Sequence, residues 1–123
     1  MPSFIVKIPP LSVNAAYCGR RYKSEEYKRF ERDVLLLTPR VLEIPEGNLA
    51  VSFTFGVSNR GADIDNCLKT ILDILQSKFA FNDNRVYHLD VTKKIVPKGA
   101  EYIRFQICRF KEDTKDLETK KVI

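Results

Sequence analysis

The sequence predicts an α+β domain: a single mixed β-sheet with two helices packed on it, in the order β-α-β-α-β-β. Three observations predict it. Leu49–Val57 alternates apolar Leu49, Val51, Phe53, Phe55 and Val57 with small or polar residues, the period of a strand with one buried face. Between Ile64 and Phe79 the apolar residues fall at 64, 68, 71, 72, 75 and 79, the period of an amphipathic helix. The chain has 123 residues, 44% hydrophobic and 30% charged, which is the size and composition of one globular domain.

The elements follow in order. Phe4–Ile8 alternates and carries β-branched residues, a strand that Pro9–Pro10 stops. Leu11–Gly19 reads as an irregular loop. Ser24 caps a helix whose Tyr27, Phe30, Val34 and Leu37 share one face, and Pro39 limits it. Pro45–Asn48 is a turn into the strand Leu49–Val57, and Ser58–Ala62 is a polar connector into the helix from Ile64. Asn82-Asp83-Asn84 is a turn cluster. Val86–Val96 reads as a strand, Pro97–Ala100 as a hairpin turn and Tyr102–Phe110 as the pairing partner. Residues 1–110 form the expected domain, and 111–123 a tail of mixed charge. No repeat or linker interrupts it. In the helix from Ile64, Cys67 and Ile74 lie off the main stripe, facing either a partner chain or a second packing layer within the subunit.

Composition excludes several classes. The longest uncharged apolar runs are far too short to span a bilayer. The N-terminus lacks the apolar stretch of a signal peptide, so the expected location is the cytoplasm. Cys18, Cys67 and Cys108 form no CxxC pair, against a disulfide framework or a structural zinc site. The one histidine, His88, has no nucleophile motif to work with. A net charge of +5 suits a polyanionic partner without requiring one.

The stretch from Asn59 to Asp73 carries the chemistry. Asp63 and Asp65 sit where a strand hands over to a helix, and Asp65, Lys69 and Asp73 share one helix face. Asp83 lies in the turn after that helix, and a chain doubling back there would return it toward its neighbours. Carboxylates gathered at one spot repel unless a divalent cation lies between them, and hard Mg²⁺ or Mn²⁺ takes oxygen ligands. Such an ion activates water and neutralises charge on a phosphate. A plainer reading stands beside this one. Asp63 or Asp65 caps the helix, Asp65–Lys69 is an i,i+4 ion pair, and Asn82–Asn84 is ordinary turn composition.

Basic residues cluster at Arg20, Arg21, Lys23, Lys28, Arg29 and Arg32 among tyrosines, with Lys93, Lys94 and Lys98 as a second group and Arg60 just ahead of the acids. They are candidate phosphate contacts, although Glu25, Glu26, Glu31 and Asp33 are mixed into the first cluster as on a solvated helix face.

The string Asp63-Ile-Asp65-Asn66-x-x-Lys69, with Asp73 and then Phe81-Asn-Asp83-Asn-x-Val86, resembles the RusA family of Holliday junction resolvases. Ile8-Pro-Pro-Leu-Ser-Val-Asn14 and the late Lys93 with Pro97-Lys98-Gly99 are similar to that family as well, so the likeness spans roughly residues 4 to 110. The resemblance implies a RusA-like fold and a homodimer that binds a four-way DNA junction and nicks two strands symmetrically with Mg²⁺ or Mn²⁺. It makes Asp63, Asp65 and Asp83 the catalytic, metal-holding carboxylates and Lys69 the essential lysine. It also implies a phage or prophage protein in a bacterial host, with no membrane and no small-molecule cofactor. Asp73 gains no role from it. Asn82, where a second acid can occur, and an arginine-poor Ser58–Ala62 depart from the pattern. Other branched DNA, such as forks or flaps, and a non-catalytic basic DNA-binding protein stay open as alternatives.

Overall fold

The computed structural model describes residues 3–18 and 22–111. Arg20, Arg21 and the tail beyond Lys111 lie outside the described residues. The elements are β1 (Phe4–Val6), α1 (Val13–Ala16), β2 (Tyr17–Cys18), β3 (Tyr22–Lys23), α2 (Glu25–Leu37), β4 (Leu49–Val57), α3 (Ile64–Phe79), β5 (Val86–Ile95) and β6 (Tyr102–Arg109). One four-stranded mixed sheet runs in the order β1-β6-β4-β5, and β2–β3 form a small ribbon apart from it. The α+β expectation holds. The segment read as an irregular loop instead contains α1 and β2, elements of four and two residues that leave no periodic signal.

β4 occupies an inner position because its alternate residues are the most apolar in the chain. Leu49, Val51, Phe53 and Phe55 are almost completely buried, and pack with Phe105 and Ile103 of β6 and with Ile71 and Leu75 of α3. Each such side chain contributes roughly 1.5–3 kcal/mol relative to exposure. The Phe53 and Phe55 rings stack at 5.6 Å, and Phe4 of β1 meets Phe105 at 5.3 Å.

The central place of β4 corrects one pairing. β6 is not the hairpin partner of β5: both flank β4, with β5 parallel to it and β6 antiparallel. The chain leaves β5 through a Val96 N–H bond to the Val57 carbonyl and crosses the end of β4. It then turns at Pro97–Ala100, where Gly99 takes a φ of 96°. That value at the third residue is what a type II turn asks of a glycine. The Glu101 carboxylate accepts from the Gly99 N–H (2.6 Å) and the Ser58 hydroxyl (3.1 Å). Hydrogen bonds from its own backbone N–H and that of Gly99 hold the Glu101 carboxyl below its ordinary value. The tie is therefore complete at neutral pH and loosens as pH falls through that lowered value.

α2 begins where Ser24 accepts from the Tyr27 N–H at 3.1 Å, as its sequence predicts. Its buried stripe is Tyr27, Phe30 and Val34, and it closes on Thr38 rather than on Leu37, which is 55% exposed. Thr38 stands one full i+4 step from Val34, and Lys78 of α3 draws it inward. The Lys78 ammonium donates to the carbonyls of Leu35 (2.8 Å) and Thr38 (3.2 Å) and to the Thr38 hydroxyl (2.6 Å). Burial lowers its affinity for the proton below the ordinary lysine value. Replacing Lys78 with Met removes the donor from those partly solvated end carbonyls, a loss of about 0.5–1.5 kcal/mol. The urea midpoint of Lys78→Met will fall with an unchanged slope.

Cys67 and Ile74, the two residues off the main stripe, are buried within the same subunit, at 5% and 2% exposure. α3 meets α1 and α2 as well as the sheet, which supplies the second packing layer.

Candidate active site

The connector from β4 to α3 is built locally and then pinned from outside. Asn59 turns the chain: its side-chain oxygen accepts from the Gly61 N–H (2.9 Å) and its carbonyl from the Ala62 N–H (3.1 Å). Lys93 of β5 reaches across and donates to the carbonyls of Arg60 (3.1 Å) and Ala62 (2.9 Å). The clamp fixes the residues immediately before Asp63.

Asp63 stands at the N-cap of α3 in an extended conformation (φ −82°, ψ 133°), yet its carboxylate takes no capping hydrogen bond from the helix backbone N–H groups. It accepts instead from the Asn66 amide at 3.3 Å. Ser24, by contrast, caps α2 with its side chain, and Asn82 accepts from the Asn84 N–H. The plain capping role is therefore not the one Asp63 fills. Asp65 lies in the first turn of the same helix, and both carboxylates are exposed. The positive end of the helix favours their charge. The buried Cys67 thiol senses this neighbourhood. Burial pushes its proton affinity up, the Lys93 ammonium pulls it down, and Asp63 and Asp65 push it up further.

Lys69 has an acidic partner on its own helix. Its ammonium meets Asp73 at 3.1 Å, one turn further along. Both side chains are partly solvated, so the pair contributes a few tenths of a kcal/mol.

Asp83 does not join Asp63 and Asp65 within the chain. It opens the short turn Asp83–Arg85 after α3, where its N–H donates to the Gln76 side chain at 2.8 Å. Arg85 ties that turn to the carbonyls of Gly47 and Pro45, below the start of β4. Parallel pairing of β4 with β5 makes α3 a crossover that runs the whole length of the sheet. Residues flanking such a helix lie at opposite ends, and sixteen residues of α-helix rise about 24 Å. Among the described residues, no three His, Cys, Asp or Glu side chains are grouped to hold a metal ion.

The predicted basic residues divide. Around α2 three cations have acidic neighbours: Lys23 of β3 with Glu31 (3.2 Å), Lys28 with Glu25 (3.4 Å) and Arg32 with Asp33 (3.6 Å). Lys93 is the loop clamp. Arg60 is exposed beside the acids, Lys94 points to the other face of the sheet, and Lys98 sits in the crossing turn.

The N-terminal segment leans on this end of α3. The Thr70 hydroxyl donates to the Leu11 carbonyl at 2.7 Å. Pro9, Pro10 and Ser12 line a cavity of about 160 Å³ together with Ser58, Asn59 and Cys67. The model of the endodeoxyribonuclease RusA family matches residues 12–105, most of the chain and all of the elements just described from α1 to β5. The chain belongs to the RusA endodeoxyribonuclease family. Membership implies an enzyme that cuts DNA and acts on Holliday junctions. The RusA match holds Asp63, Asp65, Lys69, Asp83 and Lys93, whereas Pro9 and Pro10 precede it. A search of curated proteins finds no matching relative. No helix among the described residues is long and apolar enough to cross a membrane.

The sequence reading missed two features. One is the clamp by Lys93, whose signal is only its register opposite Phe55 at the end of β4. The other is the Asn66 contact to Asp63, legible as an i,i+3 pair once Asp63 is placed at the cap.

Proposed function

We propose that this chain resolves four-way DNA junctions as a homodimer, making paired symmetric nicks with Mg²⁺ or Mn²⁺. The observation that carries the proposal is the pair of exposed carboxylates at the N-terminus of α3, with Asp63 at the cap position but not capping. The donor set fits a hard cation: two carboxylates, and a neighbouring thiol that burial keeps protonated. Mg²⁺ accepts one or two carboxylates and otherwise keeps water. When bound, the ion supplies activated water and neutralises charge on the phosphate under attack. Asp63 and Asp65 hold it. Lys93 keeps the loop beneath it in place, and Lys69, steadied by Asp73, meets the scissile phosphate.

The place of Asp83 argues for the second copy. Among the described residues β5 is an edge strand of the sheet, unpaired on one side and exposed along most of its length, with Leu89 and Ile95 41% and 45% accessible. Ile64 of α3 is a further exposed apolar residue. Two copies joined at this edge about a two-fold axis pair β5 antiparallel with itself. That arrangement brings the Asp83 end of each chain to the Asp63–Lys93 end of the other, so each site is completed in trans. A four-way junction shares the same two-fold symmetry.

The direct test incubates the protein with a synthetic four-way junction, a Y-fork and linear duplex, in Mg²⁺, Mn²⁺ or EDTA. The expected result is junction binding in all three conditions and cutting only with metal, as paired nicks in opposed strands. Equal cutting of the fork moves the substrate to branched DNA in general. Binding without cutting in either metal overturns the enzyme reading.

A further inference from the structure

The sheet has two unlike faces. Helices cover one, where the core lies. Across the other, among the described residues, no helix packs. Its β4 positions are Ala50, Ser52, Thr54 and Gly56, and its β6 positions are Tyr102, Arg104, Gln106 and Cys108. Apart from exposed Ile5 of β1, its strand positions carry polar or small side chains and Tyr102, so it does not call for a helix or a large hydrophobic partner.

Its cations are gathered at one end. Register places Lys94 of β5 beside Gly56 of β4, and Gly56 beside Tyr102 of β6. Lys7 continues β1 past Val6, whose partner is Ile103, and so stands level with Tyr102. Lys7 and Lys94 thus flank one cross-strand row, three strand spacings or about 14 Å apart. Arg104 lies in the next row, opposite Thr54 and Ile5. Between the cations the floor is low. Gly56 lets the Tyr102 ring lie directly over the β4 backbone, where a methyl group would collide with it. Among the described residues, none of Lys7, Lys94 and Arg104 has a carboxylate within ion-pair distance, unlike Lys23, Lys28, Arg32 and Lys69. The only acid on the sheet positions of this face, Asp90, lies further down β5, near His88 and Cys108.

This basic end is also the end at which α3 begins. Lys7, Tyr102 and Arg104 line a cleft of about 490 Å³ that reaches Glu101 in the crossing loop. Glu101 also borders the smaller cavity lined by Ser58, Asn59, Ala62 and Cys67, on the loop that leads into Asp63. The two cavities share Glu101, so the loop that leads into Asp63 adjoins the unpaired cations.

We propose that the helix-free face of the sheet holds a duplex arm of the junction, with Lys7, Lys94 and Arg104 contacting its phosphates as the DNA leaves the cutting site. This rests on the junction-cutting reading above. Charge complementarity selects the partner: three unpaired cations over hydroxyl- and amide-bearing side chains match a sugar–phosphate backbone, and such contacts position DNA without reading its sequence.

The test measures junction affinity against salt in EDTA, for the unsubstituted chain, for Lys7→Gln/Arg104→Gln and for Lys28→Gln, each checked by circular dichroism. Removing one cation from a phosphate lowers the slope of log affinity against log salt by roughly 0.9. The double variant takes two cations from each copy of the dimer and is expected to lose about 3.6 units of slope, and Lys28→Gln none. On a junction whose arms are trimmed to end at the cut sites, the double variant and the unsubstituted chain should bind alike. At saturating long-armed junction with Mg²⁺, the double variant should still cut at the normal rate. A full slope in the double variant overturns this proposal while leaving the cutting site intact. Loss of cutting at saturation also overturns it, because the two residues would then belong to the site. Failure of the unsubstituted chain to bind the junction overturns both readings together.

Discussion

Mixing Asp65→Asn chains with Asp83→Asn chains will restore nicking that neither variant shows alone. Within one chain these residues stand at opposite ends of α3, one in its first turn and one in the turn beyond its C-terminus. If the partner supplies Asp83, a mixed dimer has one doubly damaged site and one with its full set of acids. Random re-pairing makes about half of the dimers mixed. Each carries a single working site, so the product is a junction nicked in one strand, with paired resolution still absent. A site contained in one chain predicts no restoration, since every site in the mixture then lacks an acid. Full activity of Asp83→Asn by itself removes that residue from the site. The measurement is a denaturing gel of both strands beside a native gel of the junction.

Asp65→Asn alone will lower cutting by roughly a hundredfold or more, the scale on which a single electrostatic contributor to a transition state is felt. Junction binding without metal will survive or tighten, because one negative charge facing the phosphates is gone. The exchange keeps the shape of the side chain, and Asp65 is exposed, so the fold is not at risk. An Asp65→Asn protein that cuts normally disproves the ligand assignment.

Much of this was legible because certain segments obey one period without interruption. β4 and α3 have the boundaries that their alternation and their 3.6-residue repeat require. The Ser24 cap fixed the start of α2. What escaped was of two kinds. α1 and the β2–β3 ribbon are too short for any repeat to develop. The pairing order was hidden because Pro97–Ala100 has the same turn chemistry whether the next strand lies beside β5 or beyond β4. The site divided along the same line. Asp63 and Asp65 are near neighbours, so their closeness could be read locally. The position of Asp83 depended on β5 running parallel to β4, a property of the whole sheet that no turn sequence encodes. Lys69 has acids four residues away on both sides, and spacing alone does not single out the Asp73 contact at 3.1 Å.

The uninterrupted run of α3 has a consequence for where the two incisions fall. In the proposed dimer each cutting centre draws one acid group from the head of a helix and one from beyond the tail of its twin, so helix length becomes a ruler between the centres. A whole turn added near Ser77 would shift that spacing by about 5 Å and rotate nothing to first order. The pair of breaks in the DNA would then lose its symmetry or its simultaneity before either break was lost.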